Sequence, residues 1–240
     1  MNLGSEGQSW LRFLSRFAPF VSLNATLLIV IFLGGVGFQD ADNAQGPLYS
    51  ELLGAARAPA AYQIAMIFDA FGWFTIGVSL VAFSRIFRSR SPILSTFIFL
   101  AGAGHLLGFL GGLLRMTGVH DLAVEYAATT DPATQAVIRT SFLALYAVIS
   151  GLFLAGDVLA TIGWLLVGGA AWRTKVLPRW VAGWALFSGV VVAIFTPLSA
   201  VDPPFAFPLL LVYIVAGVII FHFVFAARFW RSTARSLAAS

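Results

Sequence analysis

Three ionisable side chains interrupt long apolar runs of this sequence: Asp69, His105 and Asp157. Carboxyl and imidazole protons exchange near neutral pH once burial or a neighbouring charge has shifted the group. Two carboxyls and one imidazole therefore suit a proton-coupled path for a ligand or an ion. The same trio could hold a metal ion and leave a coordination position open, although neither HExxH nor HxxxH spacing occurs. The groups could equally be hydrogen-bonding contacts between helices, an aspartate meeting a tyrosine, an indole N–H or a backbone group. The residue types fit all three chemistries. No residue is assigned a catalytic or metal-ligating role, and the cofactor is unknown.

Spacing puts the trio at one level. Asp69 precedes Arg85, and Asp157 precedes Arg173, by sixteen residues, about 24 Å of helix. His105 follows Pro92 by thirteen residues, about 20 Å. Counting back from Arg228 by the same sixteen residues reaches the neighbourhood of Tyr213, and Thr196 falls just beyond this level on its own helix. Trp73 lies on the helical face of Asp69, and Trp164 on that of Asp157. The expected ligand-binding set is thus Asp69, His105, Asp157, Tyr213, Thr196, Trp73 and Trp164. His222, six residues before Arg228, lies at a different depth, so His105 and His222 do not fit as the two axial ligands of one haem. His120, beside Asp121, reads as a loop residue that could meet a surface metal with Glu125.

The elements that must position these groups are membrane spans. Of the 240 residues, 60% are hydrophobic and 10% charged, against about 45–50% and about 25% in soluble domains. A span needs roughly 20 apolar residues, and six segments qualify, near 18–38, 61–84, 92–114, 142–170, 178–200 and 205–227. The fold class is therefore an all-α polytopic transmembrane helical bundle, with 1–240 forming one integral membrane domain. An ionisable group in such a bundle costs at least a few kcal/mol if it faces lipid, so the trio is expected to face the interior.

Lys and Arg counts set the orientation. With both termini cytoplasmic, the inner segments hold eleven cations, Arg12, Arg16, Arg85, Arg88, Arg90, Arg173, Lys175, Arg179, Arg228, Arg231 and Arg235. The outer loops hold three, Arg57, Arg115 and Arg139. This asymmetry predicts both ends inside a bacterial-type plasma membrane. The cations read as topology signals, and no nucleic-acid motif occurs. Residues 10–17, WLRFLSRF, predict a short interfacial helix. Pro47 predicts a short outer helix carrying Leu48, Leu52 and Leu53, Asp131-Pro132 a capped helix start, Ser150-Gly151 a bend, and Pro197 a kink.

Several chemistries are excluded. Cysteine is absent, so no disulfide, thiolate ligand or thiol nucleophile exists. The single lysine, Lys175, lies in an inner loop, which rules out a retinal Schiff base within the bundle. No phosphate-binding loop or nucleophile elbow occurs in a usable context. The run GAGHLLGFLGG at 102–112 is a small-residue packing face.

The string LVGGAAWRTKVLPRWVAGWALFSGV, with its glycines, basic turn and L-P-R followed by an apolar span, resembles the inner loop of a large bacterial group of small membrane proteins of unknown function. FDAFGWFTIGVSLVAFSRIF, with its lone aspartate, resembles that group's second span. The resemblance covers residues 60–200. It implies a multi-span bundle, no established activity and no catalytic residue to carry over. The expected function is binding or transport of a small or lipophilic ligand, proton-coupled or not. The alternatives are an intramembrane metal- or haem-dependent enzyme, or an accessory subunit of a larger membrane complex. Partners are then the lipid bilayer, a ligand, and a membrane protein or second copy docked on the Gly-rich third span.

Overall fold

The computed structural model describes residues 3–33, 49–201 and 203–238, and these form helices and short turns without a strand. The helices are α1 (Ser5–Leu33), α2 (Ser50–Arg57), α3 (Pro59–Phe87), α4 (Pro92–Leu114), α5 (His120–Ala128), α6 (Pro132–Thr174), α7 (Arg179–Val201), α8 (Pro203–Val212) and α9 (Phe221–Ala238). Two π-helical segments, Arg115–Val119 and Tyr213–Ile220, join α4 to α5 and α8 to α9. Six helical stretches are long and apolar enough to cross a bilayer. Large apolar side chains such as Phe20, Ile93, Val137 and Phe223 project outward from them. The protein is an integral, multi-pass membrane protein, an all-α helical bundle of six apolar spans.

Short turns make neighbours antiparallel. Spans pack in chain order, α1 on α3, α3 on α4, α4 on α6 and α6 on α7, and α9 returns to α1 to close the ring. Pro59 and Pro92 occupy the first helical turn of α3 and α4, where a missing N–H costs nothing. Pro132 does the same in α6, behind Asp131, whose carboxylate accepts the Thr134 N–H at 2.9 Å. This is the capped start expected from Asp131-Pro132.

Two local expectations change. Residues 10–17 do not form a separate surface helix. They belong to α1, with Leu11 and Leu14 buried, and Glu6 pairs with Arg88 at 3.5 Å. No break occurs at Ser150-Gly151, because α6 runs unbroken for 43 residues, about 65 Å of helix. That is over twice the hydrocarbon thickness of about 30 Å, so α6 reaches beyond the apolar slab. Pro47 and Leu48 lie outside the described residues, while Leu52 of α2 is fully buried.

The glycines of α4 are consumed inside the chain. A methyl group on Gly108 would strike the Trp73 indole, one on Gly112 would strike Ala70, and one on Gly102 would strike Leu80. The small-residue face offered to a partner is therefore filled by α3 and α6 of the same molecule. Gly156 of α6 meets both Trp73 and Gly108, so the indole occupies a slot cut by glycines on two helices.

The π-helical segment at Tyr213–Ile220 follows the same logic of local satisfaction. A π turn displaces carbonyls from the regular ladder, and a buried carbonyl must find another donor. The Trp184 indole donates to Ala216 O at 2.7 Å, the Ser22 hydroxyl to Ile219 O at 3.0 Å, and His222 Nδ1 to Val218 O at 2.8 Å. α7, α1 and α9 thereby hold the distorted segment in place.

Two separate apolar cores result. One gathers Leu80, Phe83, Ile98, Trp164, Val167, Phe221 and Phe225. The other gathers Leu52, Tyr62, Met66, Val119, Phe142 and Ile149. Between them, on α3, α4 and α6, fall Asp69, Trp73, His105, Phe153 and Asp157. We expect Gly108→Ala to lower stability by about 1–3 kcal/mol through overpacking, read as a lower thermal unfolding midpoint in detergent. Gly151→Ala, which meets open space, should leave that midpoint unchanged.

Candidate functional site

The layer between the two cores begins with an ion network. Arg115 opens the first π-helical segment, one residue past α4, and its guanidinium is largely enclosed. Arg115 Nη2 donates to Glu51 Oε2 at 2.8 Å, and the Tyr62 hydroxyl donates to Glu51 Oε1 at 2.6 Å. Both oxygens of the buried Glu51 are thus engaged, which pins α2 to α3 and to the end of α4. Arg115 Nη1 also faces Asp69 Oδ2 at 3.8 Å. That separation lies beyond hydrogen-bond range, so the contact is electrostatic.

An aromatic stack runs inward from the same arginine. Its guanidinium lies 5.0 Å from the Phe153 ring centroid, within cation–π range. Phe153 stacks on Trp73 at 4.9 Å, and Trp73 lies against His105 at 4.8 Å. α3, α4 and α6 each contribute to this column. Its tight approach depends on Gly108 and Gly156, which leave room for the indole.

His105 is 2% exposed. Its Nδ1 lies 2.9 Å from Gly156 O. A carbonyl cannot donate, so Nδ1 carries the hydrogen and Nε2 presents a lone pair. Nε2 makes no hydrogen bond among the described residues, nor do the buried Asp69 Oδ2, Arg115 Nε, Thr161 Oγ1 and Ser188 Oγ. Asp157, next to Gly156, is half-buried. It makes no hydrogen bond or ion pair among the described residues.

The remaining expected residues divide. Trp164 Nε1 donates to the Tyr213 hydroxyl at 3.3 Å, linking α6 to the start of the second π-helical segment. Thr196 is buried, and its hydroxyl donates to Val192 O of its own helix at 2.8 Å. His222 packs between helices, with Nε2 at 3.3 Å from the Ser79 hydroxyl. His120 pairs with Asp121 at 3.1 Å rather than meeting Glu125. Among the described residues no three His, Asp or Glu side chains converge closely enough to share a metal ion. Two grooves of about 410 Å³ lie on the flank of α1 and α3. Trp10, Phe13 and Val81 line the first, and Phe20, Asn24 and Phe71 line the second. Neither touches Asp69, His105 or Asp157.

Sequence reasoning missed Glu51, Tyr62, Arg115 and Phe153. The Lys and Arg distribution reads Arg115 as an outer-loop residue, yet no Gly-Pro or Asn-Gly break separates it from the apolar run before it. That continuity was the available signal. Glu51 beside Leu52 on a short helix carried no signal of its own.

The network predicts a coupled pair. Arg115→Met should cost about 3–5 kcal/mol because it strands Glu51, and Glu51→Gln should cost less. The double variant should cost less than the sum of the two, by at least about 1 kcal/mol. Denaturant-dependent unfolding in detergent measures all three.

No curated protein and no solved structure matches the chain. A family model matches residues 25–230, a stretch that contains the ion network, the aromatic stack and every expected site residue. The chain belongs to the family described as Domain of unknown function (DUF4386).

Proposed function

We propose that this protein binds a small ligand in the polar layer around Asp69, His105 and Asp157, and carries it or senses it from there. The layer serves one integral membrane domain with both termini cytoplasmic, in a bacterial-type plasma membrane. The distribution of Lys and Arg supports that orientation.

One observation carries the reading. Three buried polar atoms on the helices that cross this layer make no hydrogen bond among the described residues: Asp69 Oδ2, which faces Arg115 at 3.8 Å, His105 Nε2 and Thr161 Oγ1. A folded chain pairs nearly all such atoms, and in hydrocarbon each orphan costs several kcal/mol. Open valence in a membrane interior is therefore a mark of water or ligand. The two π-helical segments begin at Arg115 and at Tyr213, and π turns recur at functional sites. Asp69, Asp157 and His105 can each take or release a proton, which makes coupling of ligand movement to protons chemically available.

Asp157→Asn and Asp69→Asn preserve shape while removing charge. A compound that raises the thermal midpoint of the wild-type protein should bind at least about tenfold more weakly to Asp157→Asn, a loss of about 1.4 kcal/mol. The unliganded midpoint should stay within about 0.5 kcal/mol of wild type in stability terms. Equal binding by wild type and both variants across a panel of anionic, neutral and cationic small molecules would refute a ligand site at these residues.

A further inference from the structure

We infer that the furrow between α1 and α4, which ends at Ser9, Trp10 and Arg85, is a specific site for an anionic phospholipid, with one acyl chain in the furrow and the phosphate at the Arg85 guanidinium. This site lies apart from Asp69, His105 and Asp157, and it neither supports nor depends on a ligand in that layer.

The furrow follows from how three helices meet. α3 packs on α1 and on α4, so it forms a floor between two walls. Ser9, Trp10 and Phe13 of α1, Val78 and Val81 of α3, and Leu106 of α4 line a groove of about 410 Å³. Further along the same α1–α3 seam, Phe17, Leu23 and Leu27 line the second groove with Phe68, Phe71 and Phe74. From Ser9 to Leu27 the seam runs about 27 Å along α1, close to the roughly 30 Å of a hydrocarbon core. A track of that kind in a membrane-spanning bundle is filled from the bilayer, and an extended acyl chain suits its length and its apolar lining.

The polar groups at the Ser9 end supply donors. The Trp10 indole N–H can only donate, and it meets no acceptor among the described residues. The exposed Ser9 hydroxyl is likewise unmatched. Arg85 lies seven residues after Val78, on the same face of α3. Phe99 lies seven residues before Leu106, on the same face of α4. The Arg85 guanidinium sits 5.5 Å from the Phe99 ring centroid, so it leans from α3 towards α4 across the end of the groove. It makes no ion pair among the described residues. Glu6, the acid nearest in sequence to Ser9, pairs with Arg88 at 3.5 Å.

Three unmet donors, one of them a guanidinium, call for a ligand with several acceptors and negative charge. A phosphodiester supplies both, and basic sites at the ends of membrane helices recognise such headgroups. Tryptophan favours the headgroup level of a bilayer, which sets Trp10 where a phosphate lies. A free anion would leave the apolar groove beside these donors unfilled, whereas a phospholipid fills it with a chain. The headgroup carries net negative charge, because among the described residues no unpaired carboxylate stands at this end to receive a choline or ethanolamine ammonium. Arg12, one residue before Phe13, adds to the positive field.

Native mass spectrometry of the delipidated full chain in detergent tests this, with phosphatidylglycerol and phosphatidylcholine of identical acyl chains as probes. Wild type should bind phosphatidylglycerol at least about fivefold more tightly than phosphatidylcholine. Arg85→Gln should abolish that preference. Arg173→Gln removes an exposed cation of α6, outside the furrow, and should keep it. Val78→Phe fills the groove floor and should weaken both lipids at least about fivefold. If Arg85→Gln fails to fold, Trp10→Phe keeps the ring, removes one donor, and should lower phosphatidylglycerol affinity at least about twofold with phosphatidylcholine unchanged. Equal binding of the two lipids by wild type, or a preference that survives Arg85→Gln, would overturn the site. So would an equal loss in Arg173→Gln, which is the mark of diffuse attraction, or undiminished lipid binding in Val78→Phe.

Discussion

Hydrocarbon offers no hydrogen bonds, so every polar group drawn into a membrane bundle must be met by another part of the chain, by water or by a ligand. The architecture follows this constraint in detail. The displaced carbonyls of the second π-helical segment are met by Trp184, Ser22 and His222. The guanidinium of Arg115 is met by Glu51, whose second oxygen is met by Tyr62. That last arrangement determines more than a charge pair. It fixes the short helix α2 against α3 and closes one end of the bundle over the polar layer.

The same constraint defines the exception. Where the two apolar cores part, the chain stops meeting its own polar atoms. His105 is oriented by Gly156 and backed by Trp73, yet its outer nitrogen is left open. Asp157 follows Gly156 on α6. The glycines of α4 and α6 that admit the indole belong to the same device, because they bring three helices close enough to present these groups together. Packing and polarity are therefore one design here. The close approach that a small-residue face permits lets Trp73 and Gly156 orient the His105 imidazole.

The fold was largely legible in the sequence, because six apolar runs separated by turns leave little choice in a bilayer. A common level for Asp69, His105, Asp157 and Tyr213 is an expectation from rise per residue. Rotation about each helix was not legible. Thr196 has the right height, but its hydroxyl turns back onto Val192. Arg115 was hidden for a different reason. An arginine at the edge of an apolar run reads as a loop residue, and only the pairing with Glu51, sixty-four residues earlier, reveals that it is drawn inward. Long-range ion pairs of this kind leave no periodic trace. The surface placement of residues 10–17 failed because amphipathicity cannot distinguish a helix resting on lipid headgroups from one whose apolar face packs on α3 and α9.

A ligand site in the layer between the cores requires that small molecules reach it. The absence of cysteine makes this directly measurable with a single introduced thiol. Thr161 lies one turn from Asp157, and its hydroxyl is buried without a hydrogen-bond partner. In Thr161→Cys, reconstituted in lipid, the thiol should react with a small methanethiosulfonate at least about tenfold faster than in Ala160→Cys, a barrier difference of about 1.4 kcal/mol. Ala160 lies one residue away in the apolar core. Equal rates at the two positions in a folded protein, or no reaction at position 161, would contradict a ligand site in this layer.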